Sequence, residues 1–217
     1  MKALIGRLPV LVIALCATCS AVVASGANYK HFDVAVYCRV YEVRMMKDPA
    51  YLENAWAAIS KHVKVDKVYL ETHRDTIVVE QATLDAAKAF FESKGVRVAS
   101  GITATINESN QFETYCYSNP EHRRKLQEVV EFTARNFNEI ILDDFFFTSC
   151  KCDLCIRAKG SRSWTAFRLE QMDEAGRTLV MKPARAVNPN VKVTIKYPNW
   201  YDHFQSLGFN LETEPKY

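Results

Sequence analysis

Short runs of apolar and β-branched residues alternate with amphipathic helical segments along most of the chain, and this alternation restricts the fold more than any other feature. Phe32 to Cys38, Val65 to Leu70, Val96 to Ala99, Glu139 to Leu142 and Val191 to Ile195 read as buried strands, the third running on toward Ile106. Between them lie helical patterns. Asp48-Pro49 opens one, with Leu52, Ala55, Trp56 and Ile59 on its apolar face. Thr83 caps a second, which Gly95 stops. Pro120 starts a third, with Leu126, Val129, Val130 and Phe132 inside. A fourth runs from Trp164 to about Ala186. Strand-helix alternation of this kind predicts parallel βα units in an α/β fold.

The strand starts lie further apart from Val96 onward, because the loops after those strands are longer. Such loops build the site in parallel βα proteins, at the carboxyl ends of the strands. No glycine-rich phosphate loop follows the first strand. Five units are fewer than a closed barrel needs, and Gly208 to Tyr217 supplies no closing helix. The chain therefore reads as about five βα units of a (β/α) barrel, incomplete at its C-terminal side. A complete small open sheet is the alternative.

The first residues are not part of this fold. Lys2 and Arg7 precede an apolar run from Leu8 to Ala24, and Ser25-Gly26-Ala27 follows. This is the pattern of a signal peptide over residues 1–27, cleaved after Ala24 or Ala27. An uncleaved anchor is the rival, since the run reaches the lower limit of a membrane span. Leu15 and Thr18 stand before Cys16 and Cys19, where lipidation wants small residues. Nothing later is long and apolar enough to span a bilayer. A secreted or periplasmic domain over residues 28–217 is expected. With 28 basic and 25 acidic residues well mixed, no stripe points to nucleic acid as a partner. Oligomeric state is not readable.

Asp143-Asp144 directly follow the fourth strand, and paired carboxylates beside a core are costly unless something uses them. Because successive strand residues alternate faces, at most one should face the mouth squarely. Glu71 ends strand two beside His73, and Lys196 and Tyr197 end strand five. Phe145, Phe146, Phe147, Trp200 and Tyr201 supply aromatic surface. Carboxyl groups against flat apolar walls suit cleavage of a glycosidic bond: one carboxyl protonates the leaving oxygen while another attacks or stabilises the oxocarbenium-like centre. Asp143, Asp144 and Glu71 are the candidate catalytic residues. Lys196, Tyr197, His73 and Trp200 are the candidate contacts to a carbohydrate substrate. The bland reading is that Asp-Asp caps the next segment and pairs with a cation. A non-catalytic sugar-binding or scaffold protein on a degenerate barrel is the rival function. A metal-dependent deacetylase would need a closely spaced histidine pair, which the five histidines do not provide.

Glu139 to Phe147 resembles the fourth-strand segment of secreted bacterial TIM-barrel glycoside hydrolases. In many retaining α-glycosidase barrels the Asp that ends this strand is the nucleophile. The resemblance implies that role for Asp143, with Asp144 as runner-up.

Cys150-Lys151-Cys152-Asp153-Leu154-Cys155 lies after strand four and Cys116 after strand three, so four thiolates could meet. Short C-x-C and C-x-x-C spacings let one loop give three ligands of a closed structural zinc site. Disulfides are the rival, although five cysteines past the leader leave one unpaired. Cys38 reads as a buried thiol. The arrangement is similar to the zinc cluster of the zinc-containing β-galactosidases, also TIM barrels, down to an aromatic-Arg helix like Ala166-Phe167-Arg168. That family has Asn-Glu where this chain has Asp143-Asp144, so neither its acid/base residue nor galactose specificity carries over. Either linkage would staple two loops, with no open position for chemistry.

Overall fold

A computed structural model of the chain describes residues 29–197 and 204–214. The elements run β1 (Ala35–Cys38), α1 (Val40–Met45), α2 (Pro49–Ser60), β2 (Lys67–Arg74), β3 (Ile77–Val78), α3 (Gln81–Ser93), β4 (Arg97–Ile102), β5 (Thr105–Asn107), β6 (Glu113–Thr114), α4 (Pro120–Asn136), β7 (Glu139–Leu142), α5 (Asp153–Lys159), α6 (Trp164–Ala175), a π-helical segment (Gly176–Met181), α7 (Lys182–Val187), β8 (Lys192–Ile195) and α8 (Phe204–Leu207).

The five expected strands form one parallel sheet in the order β1-β2-β4-β7-β8, so each strand lies beside its successor. A doubly wound sheet reverses direction at a switch point. This one never does. Right-handed crossovers then place every connecting helix on the same face. The result is an arc of a (β/α) barrel, with β1 and β8 at its edges among the described residues.

The helix-side face is apolar. Val68 and Leu70 pack with Leu84, Ala87 and Phe91 of α3 and with Val40 and Val43 of α1. Ile102, Ile140 and Leu142 pack with Leu126, Val129 and Val130 of α4 and with Met172, Ala175, Val180 and Ala184. Full burial of each large aliphatic side chain contributes about 1.5–3 kcal/mol. The opposite face is polar. Lys67 Nζ donates to both oxygens of Glu139 at 2.8 Å, and Tyr69 donates to Oε1 at 2.7 Å, from one strand across β4 to another.

Several boundaries differ from the expectation. The third strand stops at Ile102; Thr105–Asn107 instead pairs antiparallel with Glu113–Thr114 as a hairpin. Thr83 does not cap α3, which begins two residues earlier behind Glu80, and Thr83 is buried. Asp48 and Asn119 do cap α2 and α4, each accepting backbone N–H bonds ahead of a first-turn proline. The long helix after Trp164 is continuous but loosens to π geometry ahead of Pro183, whose missing N–H cannot serve the turn before it.

Candidate functional site

Strand register assembles the site. His73, Ile102, Leu142 and Ile195 lie side by side as the last paired positions of β2, β4, β7 and β8. The ladder continues one residue further, through Thr103 N to His73 O (3.0 Å), Asp143 N to Ile102 O (2.9 Å) and Lys196 N to Leu142 O (2.9 Å). Arg74, Thr103, Asp143 and Lys196 therefore form the next lateral row. Because Ile102 and Leu142 face the helices, this row faces the other way, at the carboxyl end of the sheet.

The row is a hydrogen-bonded chain of charges. Lys196 Nζ donates to Asp143 Oδ1 at 2.8 Å and approaches Asp144 Oδ2 at 3.5 Å. Arg74 Nη2 donates to Asp143 Oδ2 and to Thr103 Oγ1, both at 3.0 Å. Arg74 Nε lies 2.9 Å from Glu71 Oε2, Nη2 lies 3.0 Å from Oε1, and Nη1 reaches Glu108 at 3.1 Å. Glu71 also accepts from Tyr37 OH (2.8 Å), from Val40 N (2.6 Å) and from the Thr103 hydroxyl. Glu71 is 0% exposed, Asp144 3% and Asp143 6%. The Lys196 side chain, 49% exposed, stands between the two aspartates and solvent.

Residues three apart on a regular strand point to opposite faces. Glu71 and Arg74 share one because β2 is bulged between Glu71 and His73. A two-residue turn follows, with Asp75 and Thr76 both at positive φ. Asp75 is fastened by the Tyr41 hydroxyl at 2.7 Å and by Glu108 N at 2.8 Å. Gly101 on β4 makes room for Tyr37: a Cβ there would sit 2.6 Å from the ring carbons Cε2 and Cζ.

The two adjacent aspartates are driven apart. Burial raises the Asp143 pKa, but the bond from Lys196 and the charges of Lys196 and Arg74 outweigh it and hold the carboxyl below its ordinary value. Burial and the charge of Asp143 push Asp144 up. Burial lowers Lys196, and its bond to Asp143 more than restores it, so the ammonium stays charged. Divergent pKa values in neighbouring carboxyls mark one group as charged and the other as the longer holder of a proton.

The structure thus brings together Asp143, Asp144, Glu71 and Lys196. His73 is fully buried beside them, with both ring nitrogens engaged. Nδ1 lies 2.7 Å from the Thr103 carbonyl, which can only accept, so it carries the proton. Nε2 then accepts from Tyr115 OH at 2.9 Å. Burial lowers the His73 pKa, which fits this neutral form. Tyr197 follows Lys196 and turns to the helix side, where its hydroxyl donates to Glu214 at 2.9 Å and its ring meets Phe209. Trp200 and Tyr201 lie outside the described residues, as does the leader over residues 1–27. Of the three consecutive phenylalanines, Phe146 belongs to the helix-side core. Phe145 lies under the Arg74 guanidinium and stacks on the exposed ring of Phe112. Sequence reasoning did not single out Arg74, Thr103, Tyr37 or Glu108. The one available signal was an arginine in a strand-end run three residues after Glu71.

Cys116, Cys150, Cys152 and Cys155 form the second cluster, their sulfurs all within 4.8 Å of one another. All four are free thiols, and so is Cys38. The pairs at 3.5, 3.7 and 3.8 Å are too far apart for an S–S bond. Thiolates placed tetrahedrally about 2.3 Å from zinc stand roughly 3.8 Å apart. The donor set and spacing fit: the cluster could hold a metal ion. Burial pushes Cys155 up to about 11, while the backbone N–H of Cys155 brings Cys152 down to about 7. Arg168, whose guanidinium bonds Ser149 O at 3.0 Å and Ser206 O at 2.8 Å, places a positive charge near Cys150 and Cys155.

Comparison with known proteins adds a family. The family model described as "Probable glycosyl hydrolase, catalytic domain" matches residues 21–217. An uncharacterized protein of Saccharolobus solfataricus is 29% identical over 213 residues, covering 84% of this chain and 35% of its own length. The chain thus spans about a third of the curated relative it matches. Among solved structures, the α-L-fucosidase isoenzyme 2 of Paenibacillus thiaminolyticus matches with a TM-score of 0.49 at 12% identity, over 75% of this chain and 32% of that one. No helix among the described residues is long and apolar enough to cross a membrane.

Proposed function

This chain belongs to the family of probable glycosyl hydrolase catalytic domains, and from that premise we propose that it hydrolyses glycosidic bonds of a poly- or oligosaccharide with Asp143 as its charged carboxylate. The observation that carries this reading is the pairing of Asp143 with both Lys196 and Arg74 at the carboxyl end of the sheet. A carboxylate that attacks or stabilises an oxocarbenium-like centre must be ionised. Two cations keep it so. Its Oδ2 takes Arg74 at 3.0 Å, whereas Oδ1 takes Lys196 at 2.8 Å, the half-exposed partner on the side from which a sugar would approach. Asp144, whose pKa burial and the charge of Asp143 raise, is the runner-up. Lys196 binds substrate hydroxyls at the mouth. His73 acts from beneath, by fixing the Thr103 backbone. Phe112, backed by Phe145, offers exposed ring surface to a pyranose face.

The four-cysteine cluster binds zinc in this reading, with Arg168 offsetting part of the thiolate charge. The ion closes the loops after β4 and β7 and supplies no chemistry, since all four positions are thiolates. Residues 1–27 export the protein, which works outside the cytoplasm.

Asp143→Asn and Asp144→Asn, made separately in the full chain and assayed on a panel of aryl glycosides, test the function. Asp143→Asn should cost on the order of 10³-fold or more in kcat, since even one oxyanion-type contact is worth 10²–10³. Full turnover in both variants would remove the catalytic role. One observation favours a second reading, sugar binding without cleavage: Asp143 and Asp144 are both almost covered. Binding on a glycan array with no product from any bound sugar would select it.

A further inference from the structure

We propose that Arg74 is the positioning residue of the Asp143 site, and that Glu71 serves as the anchor of Arg74 instead of meeting substrate; this rests on the glycosidase reading above. The Arg74 side chain is 4% exposed, and its guanidinium touches three carboxylates: Glu71 through two nitrogens, Glu108 and Asp143. A bulge in β2 exists where it must for Glu71 and Arg74 to share a face. Glu71 has no oxygen turned to solvent. Its acceptor sites are taken by Tyr37, Val40 N, Thr103 and Arg74. A carboxylate so enclosed can fix a fork-shaped cation, and a fork fixed at one end presents its remaining N–H groups in set directions. One of these meets Asp143 Oδ2 at 3.0 Å, and the Thr103 hydroxyl, accepting from Arg74 and donating to Glu71, fastens the same guanidinium to its anchor.

The charged groups around Asp143 are Arg74, Lys196 and Asp144 in contact, with Glu71, Glu108 and Tyr37 behind Arg74. Lys196 is the half-exposed partner; Arg74 is the buried one. The geometry therefore gives orientation to Arg74 and leaves Lys196 free to follow the substrate. Burial opposes the charge on Arg74, and Glu71 more than restores it, so the cation persists throughout the accessible pH range.

Arg74→Lys keeps a charge but loses the fork. The carboxyl titration of Asp143, followed by carbon-13 NMR and assigned by its loss in Asp143→Asn, should show Asp143 becoming about tenfold weaker as an acid in Arg74→Lys. The turnover number should fall on the order of tenfold or more, with KM nearly unchanged. In the unaltered full chain, the Arg74 side-chain N–H resonance should shift with the titration of Asp143. That second measurement serves if Arg74→Lys fails to fold. An unchanged Asp143 titration in folded Arg74→Lys, or an Arg74 resonance indifferent to it, overturns the proposal. Because the titration is read without substrate, an absence of hydrolysis counts against the glycosidase reading alone.

Discussion

Replacing Gly101 by alanine tests how the site is packed. The new Cβ would lie 2.6 Å from Cε2 and Cζ of Tyr37, where carbon contacts belong at about 3.5–4.0 Å. The ring must retreat by about 1 Å, and its hydroxyl, now 2.8 Å from Glu71 Oε1, leaves hydrogen-bond range. A bond to a buried charged group is worth about 1.5–3 kcal/mol. Overpacking costs about 1–3 kcal/mol more. Against this, alanine is better than glycine in a strand by roughly 0.5–1 kcal/mol. The net expectation is a loss of about 2–4 kcal/mol. With a urea m-value near 2 kcal/mol/M, the unfolding midpoint should fall by about 1–2 M. Repeating the change in a Tyr37→Ala background removes the clash, so Gly101→Ala should then be nearly neutral, a coupling of more than about 1 kcal/mol. A midpoint within 0.2 M of the parent (roughly 0.4 kcal/mol at that slope), or equal costs in both backgrounds, would refute the close approach of Tyr37 to β4.

Zinc should copurify with the protein grown with the metal, and Cys155→Ser should abolish that binding and lower the melting temperature, as read by metal analysis and calorimetry. Full zinc content in Cys155→Ser would contradict a four-thiolate site. Glu214 gives a pH signature. It is 3% exposed, its Oε1 has no partner among the described residues, and burial raises its pKa from 4.5 to about 7. The protonated form is the one the fold favours, so its contribution is complete below pH 4.5 and disappears as pH rises through about 7. His73, pushed down by burial, acts in the other direction, losing stability as pH falls through the ordinary histidine range. Glu214→Gln isolates the first effect: between pH 5 and pH 8 the parent should lose up to about 3 kcal/mol relative to this variant in urea titrations. Parallel pH profiles would contradict it.

The arc was legible because burial writes a pattern. Val68, Leu70, Ile140 and Leu142 are apolar since they face helices, and Asp48-Pro49 and Pro120 mark helix starts by local chemistry. The cysteine cluster was legible from spacing alone. The hairpin of β5 and β6 was not: Ala104 and Ile106 extend the alternation of β4, and its turn uses Gln111 and Phe112 at positive φ, where glycine would have announced it. The bulge at Glu71 left no sequence mark either. Without it, Arg74 reads as facing away from Glu71, which is why the residue with the most contacts in the site went unnoticed. Tyr197 lies on the helix side because neighbours on a strand diverge and Lys196 occupies the site face.

Covalent labelling reports directly on whether Asp143 is the reacting carboxylate. A panel of cyclitol epoxides, which esterify the ionised carboxylate of a glycosidase, is incubated with the full chain and the modified peptide is mapped by mass spectrometry. Asp143 should carry the single ester, and competing sugar should prevent it. An ester confined to another carboxylate, while hydrolysis of aryl glycosides survives in Asp143→Asn, would contradict this.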